Sequence, residues 1–326
     1  MQSYSRFWSF LFLGSLVMFT AEVFAGSSLI WFIDPWALLV TFGLYLSHIL
    51  FYYNVALRSE KFSLPHMYLW GMLFGLYEAP ITKVLWAGYN DAQPPIWGTF
   101  AGVGILEFPT LVLFYHPVFA FIVPISVFQL LFAENGTVLP GYWKRFEELS
   151  TWKQIAFVVF TISMASASMF SSGFNIPVQF FATAGSVIIL MLLYKYRRNH
   201  ISEKMLVLGN KGMGILVGYL ILLYGLTTVA LRPDKLPKEL LPYLTIVLAV
   251  IIILLLIFFY VRAEQVQNDS YAENLRPLVV WAALFVGVGL FFGSIPALTM
   301  VIFFIDVLLM PFIGIGMFIT LLVKYR

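Results

Sequence analysis

The sequence predicts an all-α polytopic membrane protein, and three observations carry that prediction. First, 61% of its 326 residues are hydrophobic and only 11% are charged, against about 25% charged in a soluble domain. Second, the mean hydropathy is +0.91, and the apolar residues fall in runs of about 20, the length that crosses a bilayer as a helix. Third, the 18% aromatic share suits belts of Trp and Tyr at the two interfaces. There is no cysteine, so disulfides, thiolate metal sites and cysteine nucleophiles are excluded.

The runs place spans near 7–33, 36–57, 65–87, 154–174, 177–195, 212–231, 242–261, 277–296 and 298–323. The first begins like a signal peptide, with Arg6 and Val23-Phe24-Ala25 before Gly26. Glu22, beside that site, argues for an uncleaved span. Asp34-Pro35 reads as an N-cap with proline at the first helical position of the second span. Segment 96–132 is too long for one straight helix: its 37 residues would reach about 55 Å across a core of about 30 Å. Because it holds Pro109, Pro117 and Pro124, it reads either as two short spans or as one span plus a re-entrant or interfacial piece. The count is then about ten helices, with eleven as the alternative, and breaks are expected at Pro80, Pro109 and Pro117.

Charge placement favours ten. Of the 19 Lys and Arg, that arrangement puts only Arg232, Lys235 and Lys238 outside and leaves Lys83 in the membrane, so 19 − 3 − 1 = 15 lie inside. Eleven spans give a weaker bias. By the positive-inside rule both termini are expected in the cytoplasm, along with the Asn135 and Asn268 sequons. The basic residues serve as topology signals spread over loops, so nucleic acid is not a partner.

An internal repeat fits the same plan. Ser59-Glu60-Lys61 recurs as Ser202-Glu203-Lys204, Gly71-x-x-x-Gly75 as Gly214-x-x-x-Gly218, and Pro94 as Pro237, all at an offset of 143. This suggests a parallel repeat of two four-helix units plus two C-terminal helices. The first transmembrane unit is 1–133, the loop 134–153 is cytoplasmic, the second unit is 154–262 and a C-terminal hairpin is 277–326. Ser163–Ser168, Gly214/Gly218 and Gly289/Gly293 offer small-residue faces for helix packing or oligomerisation.

Polar residues concentrate in the first unit. Glu22, Glu78 and Glu107 lie in apolar stretches, where a charge costs roughly 2.5 kcal/mol or more and so belongs in a bundle interior or a wet cavity. Glu78-Ala79-Pro80 and Glu107-Phe108-Pro109 each join a carboxylate to a missing backbone N–H. The free carbonyls would be those of Leu76 and Ile105. Glu107 sits near the middle of the stretch 96–118. Lys83, five residues after Glu78, needs a kink at Pro80 to meet it. Otherwise it snorkels or pairs structurally. His116, before Pro117, is a proton carrier, a metal ligand or an interfacial histidine. His48 reads as a helix-contact residue. The proton or substrate site is therefore expected among Glu22, Glu78, Lys83, Glu107 and His116, lining one cavity.

No H-E-x-x-H, G-x-S-x-G or P-loop occurs, nor an aspartate-rich diphosphate motif. The leading reading is a multi-pass transporter with a proton- or cation-linked intramembrane carboxylate, acting on a small molecule or lipid. The alternative is an intramembrane enzyme, a Glu/His hydrolase or a metal-dependent enzyme acting on a lipid-borne or membrane substrate. A second alternative is a non-catalytic assembly or lipid-binding subunit. No cofactor motif is evident. A divalent metal, held by Glu78, Glu107 and His116, belongs to the enzyme reading alone. The charge distribution yields one test: reporter fusions at the C-terminus and within 232–241 should report opposite sides of the membrane, and the same side for both would contradict the ten-span topology.

Overall fold

The computed structural model describes residues 2–89, 95, 97–132, 150–152, 173–262, 287, 291 and 295–326, without the side chains of residues 2, 78–80 and 130. Most of the expected spans 154–174 and 277–296 and of the loop 134–153, both sequons, Ser163–Ser168 and Gly289/Gly293 lie outside the described residues. What is described is overwhelmingly helical. Seven of its helices are long and apolar enough to span a membrane: Ser3–Val23, Ala37–Arg58, Glu107–Gln129, Ile176–His200, Asn210–Ala230, Leu241–Tyr260 and Pro296–Lys324. The protein is an all-α polytopic membrane protein.

Helix α1 (Gln2–Val17) widens into a π-helical turn at Met18–Val23. A second π segment, Ala37–Thr41, leads into α2 (Phe42–Arg58). Ahead of it, Asp34 accepts a hydrogen bond from the Trp36 N–H at 3.0 Å, as an N-cap carboxylate does. Helix α3 (Leu64–Thr82) fills the third expected span and runs through Pro80. The break comes three residues later, at Lys83, with φ 64°. A short helix α4 (Val84–Ala87) follows.

Segment 96–132 resolves as a two-stranded hairpin, β1 (Thr99–Phe100) and β2 (Val103–Gly104), and then one helical run. That run is α5 (Glu107–Thr110), a π-helical stretch Leu111–Ile122, and α6 (Val123–Phe132). Pro109 breaks nothing, because it stands in the first turn, where backbone N–H groups have no intrahelical acceptor. The Ile105 carbonyl precedes the helix and loses no partner there. Pro117 is housed in the π-helical stretch, and the Tyr68 hydroxyl donates to the carbonyl of Leu113, four residues before it. The remaining long helices are α7 (Ile176–Arg197), α8 (Asn210–Ala230), α9 (Leu241–Leu255, extended by a π turn at Leu256–Tyr260) and α10 (Pro296–Lys324).

Two compact units emerge: Met1–Leu46 with Val123–Val207 and Gln265–Asp306, and Ser47–Ile122 with Leu208–Glu264 and Val307–Arg326. In the first, α1 and α7 are antiparallel. The Arg197 guanidinium lies 4.5 Å from the Trp8 ring, and Ser202 N–H donates to Ser9 Oγ. At the other end Trp31 Nε1 donates to Ser186 Oγ at 3.0 Å. Phe12 packs edge-on against Phe128 and Phe132 of α6.

In the second unit α3 lies against the helix beginning at Glu107. An added Cβ at Gly71 would sit 2.6 Å from Pro117 Cα, and one at Gly75 would sit 3.2 Å from Val112 Cα. Helix α8 runs parallel to α3: the Tyr77 hydroxyl donates to Leu220 O, and Lys83 reaches Thr227 and Leu231 O. Helix α9 runs antiparallel to α3, with Trp70 against Phe258 and Trp86 against Tyr243. The chain ends beside it, where Arg262 N–H donates to Tyr325 O. Arg58 bonds Leu208 O and Asn210 at that same end of the unit. Arg58, Lys61, Lys211, Arg262, Lys324 and Arg326 thus gather at one end. Lys83, Arg232, Lys235, Lys238 and the hairpin gather at the other.

The two Gly-x-x-x-Gly motifs differ in use. Nothing among the described residues lies within 4 Å of a Cβ at Gly214 or Gly218. Gly71→Ala should therefore destabilise the protein by about 1–3 kcal/mol through overpacking. Gly214→Ala should be neutral or stabilising by up to about 1 kcal/mol through helix propensity. Paired thermal unfolding in one detergent checks this, and equal melting temperatures would contradict it.

Candidate functional site

The hairpin after α4 determines what surrounds Glu107. Its two-residue loop is Ala101-Gly102, with φ 48° and 76°, the double positive φ of a type I′ turn, whose twist suits adjacent strands. The pairing is Thr99 with Gly104 and Phe100 with Val103. The hairpin is pinned to α9: Thr245 Oγ1 donates to Ala101 O at 2.8 Å, and a Cβ at Gly102 would meet Pro242 at 2.4 Å. Trp97 and Phe100 stay exposed, as amphipathic and apolar rings do at a membrane surface.

Helix α4, strand β2 and helix α5 pack on one another, and Glu107 is enclosed there with 3% of its surface exposed. Gly104 makes the room, since a Cβ at that position would fall 2.3 Å from Glu107 Oε2. The carboxylate draws on the backbone N–H groups of Leu106 and Glu107, yet among the described residues Oε2 has no hydrogen-bond partner, and neither does the indole nitrogen of Trp86, a residue only 8% exposed in the same cluster. Buried polar atoms are nearly always bonded, and an unmet one costs about 1–3 kcal/mol, more if charged. An orphaned acceptor and an orphaned donor in one small cluster mark a place built for something else. Glu107 stands at the first turn of its helix, so the site is near the end of the span and not at its middle.

Lys83 does other work. It is fully buried, and its ammonium donates to Thr227 O at 3.1 Å, Thr228 O at 3.3 Å and Leu231 O. A cation on the last carbonyls of a helix satisfies orphan acceptors and complements the helix dipole. Arg232, also in the left-handed region, returns the contact by donating to Thr82 O at 2.9 Å. The kink expected at Pro80 to join Glu78 with Lys83 is absent, because the backbone stays helical to Thr82. The Glu78 side chain lies outside the described residues.

His116 is buried. Its Nδ1 hydrogen-bonds Leu111 O at 3.0 Å, and its ring meets Phe74 at 5.3 Å. The other face of the group is His48, 4.9 Å from Phe74 and 4.1 Å from Tyr77 between ring centroids. Glu22, in the first unit, occupies the π turn of α1 and accepts from Ser27 Oγ at 2.7 Å. Glu107, Lys83 and His116 belong to the second unit. Among the described residues no three His, Asp or Glu converge as metal ligands. Sequence reasoning passed over Trp86, Gly104 and the hairpin. The available signal was Gly98, Gly102 and Gly104 within an apolar stretch, a density of glycine that marks irregular backbone.

Helices of spanning length, with buried polar groups inside them, define an integral multi-pass membrane protein. The chain belongs to the family described as "Uncharacterized membrane protein family", whose model matches residues 11–325. It is similar to a protein of Archaeoglobus fulgidus described as "Uncharacterized protein", with 29% identity over 234 residues covering 69% of each chain. No solved structure matches it.

The role of Lys83 is open to direct test. Lys83→Met keeps the length and removes three donors from the end of α8, so it should cost at least about 2 kcal/mol, the scale of charge-assisted bonds lost from buried acceptors. Thermal unfolding in detergent should show a clear drop in melting temperature. An unchanged melting temperature would contradict the capping role.

Proposed function

We propose that the protein is a multi-pass membrane transporter in which Glu107 carries the exchangeable proton or cation. The observation that supports this most is the unpartnered, buried Oε2 of Glu107 at the junction of a pinned hairpin and an irregular helix. A carboxylate whose second oxygen finds no donor among the described residues is not a finished structural contact, and it can be completed by a proton or a positively charged solute. Irregular backbone beside an ion or substrate site is the arrangement transporters use within the bilayer. His116 of the Glu107 helix and His48 of α2 flank Phe74 of α3, so further polar rings are buried in the same unit. In this reading Glu78, on α3, is a further candidate, Glu22 is a hydrogen-bonded carboxylate of the other unit, and Lys83 is structural. The end of the second unit that gathers Arg58, Lys61, Lys211 and Arg326 is cytoplasmic, with both termini, and the Glu107 site opens toward the opposite face.

The test is charge movement. Reconstituted protein on a solid-supported membrane, perfused with a panel of ions and small solutes, should give transient currents for at least one solute or for a pH step. Glu107→Gln should abolish them while keeping the wild-type elution profile. Currents that persist unchanged in Glu107→Gln, or no current across the panel, would overturn the proposal.

A further inference from the structure

The two orphaned atoms at the α4–β2–α5 cluster define a ligand more narrowly than "cation". Resting on the transporter reading of that site, we infer that Glu107 and Trp86 together bind an organic ammonium ion carrying a hydrogen-bond acceptor next to its nitrogen, and that Trp86 is the specificity-determining residue.

The argument starts from what each atom lacks. Glu107 Oε2 is an acceptor without a donor, and Trp86 Nε1–H is a donor without an acceptor. Both side chains are more than nine-tenths buried, so bulk water cannot serve either one freely. A buried carboxylate is compensated best by a positively charged donor, since buried charges are paired and charge-assisted hydrogen bonds are about twice as strong as neutral ones. A neutral alcohol would add no positive charge to the backbone N–H groups of Leu106 and Glu107 that already serve the carboxylate. A bare metal ion would meet the positive end of the indole N–H dipole, and among the described residues it would find no set of three His, Asp or Glu. An ammonium group with a neighbouring hydroxyl or carbonyl oxygen meets both needs at once: N–H to the carboxylate and oxygen to the indole. The surroundings suit such a guest. Gly104 lets the carboxylate fit against the strand, where any Cβ would collide with it, and the Trp86 and Tyr243 rings, 5.2 Å apart and edge to face, supply aromatic surface of the kind that attracts organic cations.

The experiment uses the full chain in lipid nanodiscs and three small probes that share a two-carbon backbone: 2-aminoethanol, ethylammonium and ethylene glycol, titrated by calorimetry. In the wild type 2-aminoethanol should bind about five- to tenfold more tightly than ethylammonium, the worth of one added hydrogen bond, and ethylene glycol should not bind measurably. Glu107→Gln should abolish binding of both amines. Trp86→Phe keeps a ring and removes the N–H, so it should erase the preference, leaving 2-aminoethanol and ethylammonium bound equally and ethylammonium only slightly weaker than in the wild type, because a phenyl face attracts a cation less than an indole face. Retained ethylammonium binding is then its own proof of folding. If Glu107→Gln fails to fold, Glu107→Asp replaces it and should weaken both amines together. Several results would overturn the inference: no amine binding in the wild type, equal binding of ethylene glycol and 2-aminoethanol, amine binding indifferent to Glu107, or a 2-aminoethanol preference that survives Trp86→Phe. Glu107-dependent currents from a sugar or an inorganic ion alone would sink this inference and leave the transporter standing. Amine binding without any current would do the reverse.

Discussion

Pro117 has no N–H to give to the turn before it, and in a bilayer no water stands ready to replace that bond. Much of the second unit follows from how this constraint is met. The helix opens into π geometry over Leu111–Ile122, and Tyr68 of α3 donates its hydroxyl to Leu113 O. For Tyr68 to reach, α3 must lie close, and Gly71 and Gly75 permit that approach by presenting no Cβ to Pro117 and Val112. The same closeness brings Phe74 between His48 and His116. One missing hydrogen bond thus bears on the spacing of two helices, and that spacing seats His116 against Phe74.

The opposite constraint applies at the far end of α3, where carbonyls lack donors. Lys83 and Arg232 solve it reciprocally, each donating to the end of the other's helix. Both sit in left-handed backbone, φ 64° and 52°, a conformation that non-glycine residues adopt at a cost. That cost is offset by carbonyls that would otherwise be bare in an apolar medium. A lysine in a span invites a functional reading, and here the geometry spends it on structure. Glu107 Oε2 and the Trp86 indole nitrogen show the contrast, because nothing among the described residues completes them.

Helix positions were largely legible because the bilayer imposes one length and one polarity on every span. The runs at 36–57, 177–195, 212–231, 242–261 and 298–323 correspond to described helices, and the Asp34 cap follows from local chemistry. The third-span break was misplaced because Pro80 reads as a breaker in sequence. In the fold the helix survives it and ends where Lys83 can reach α8. The hairpin at 99–104 was hidden because its turn uses Ala101-Gly102 instead of an Asn-Gly or Asp-Gly pair, and its strands are only two residues long. Glu107 and His116 were visible as charges and rings in apolar sequence. Trp86 was not, since a tryptophan in an apolar run carries no mark until its N–H is seen to lack an acceptor.

The central claim is that Glu107 is held open for a group that the chain does not supply. A cryo-EM map of the protein in nanodiscs, prepared with the solute that it moves or with 2-aminoethanol, addresses it most directly. The account expects density belonging to no residue of the chain, roughly 2.7–3.2 Å from Glu107 Oε2, with the carboxylate still facing the α4–β2–α5 cluster. A map in which Glu107 turns to solvent, or bonds to another side chain with no such density, would contradict it.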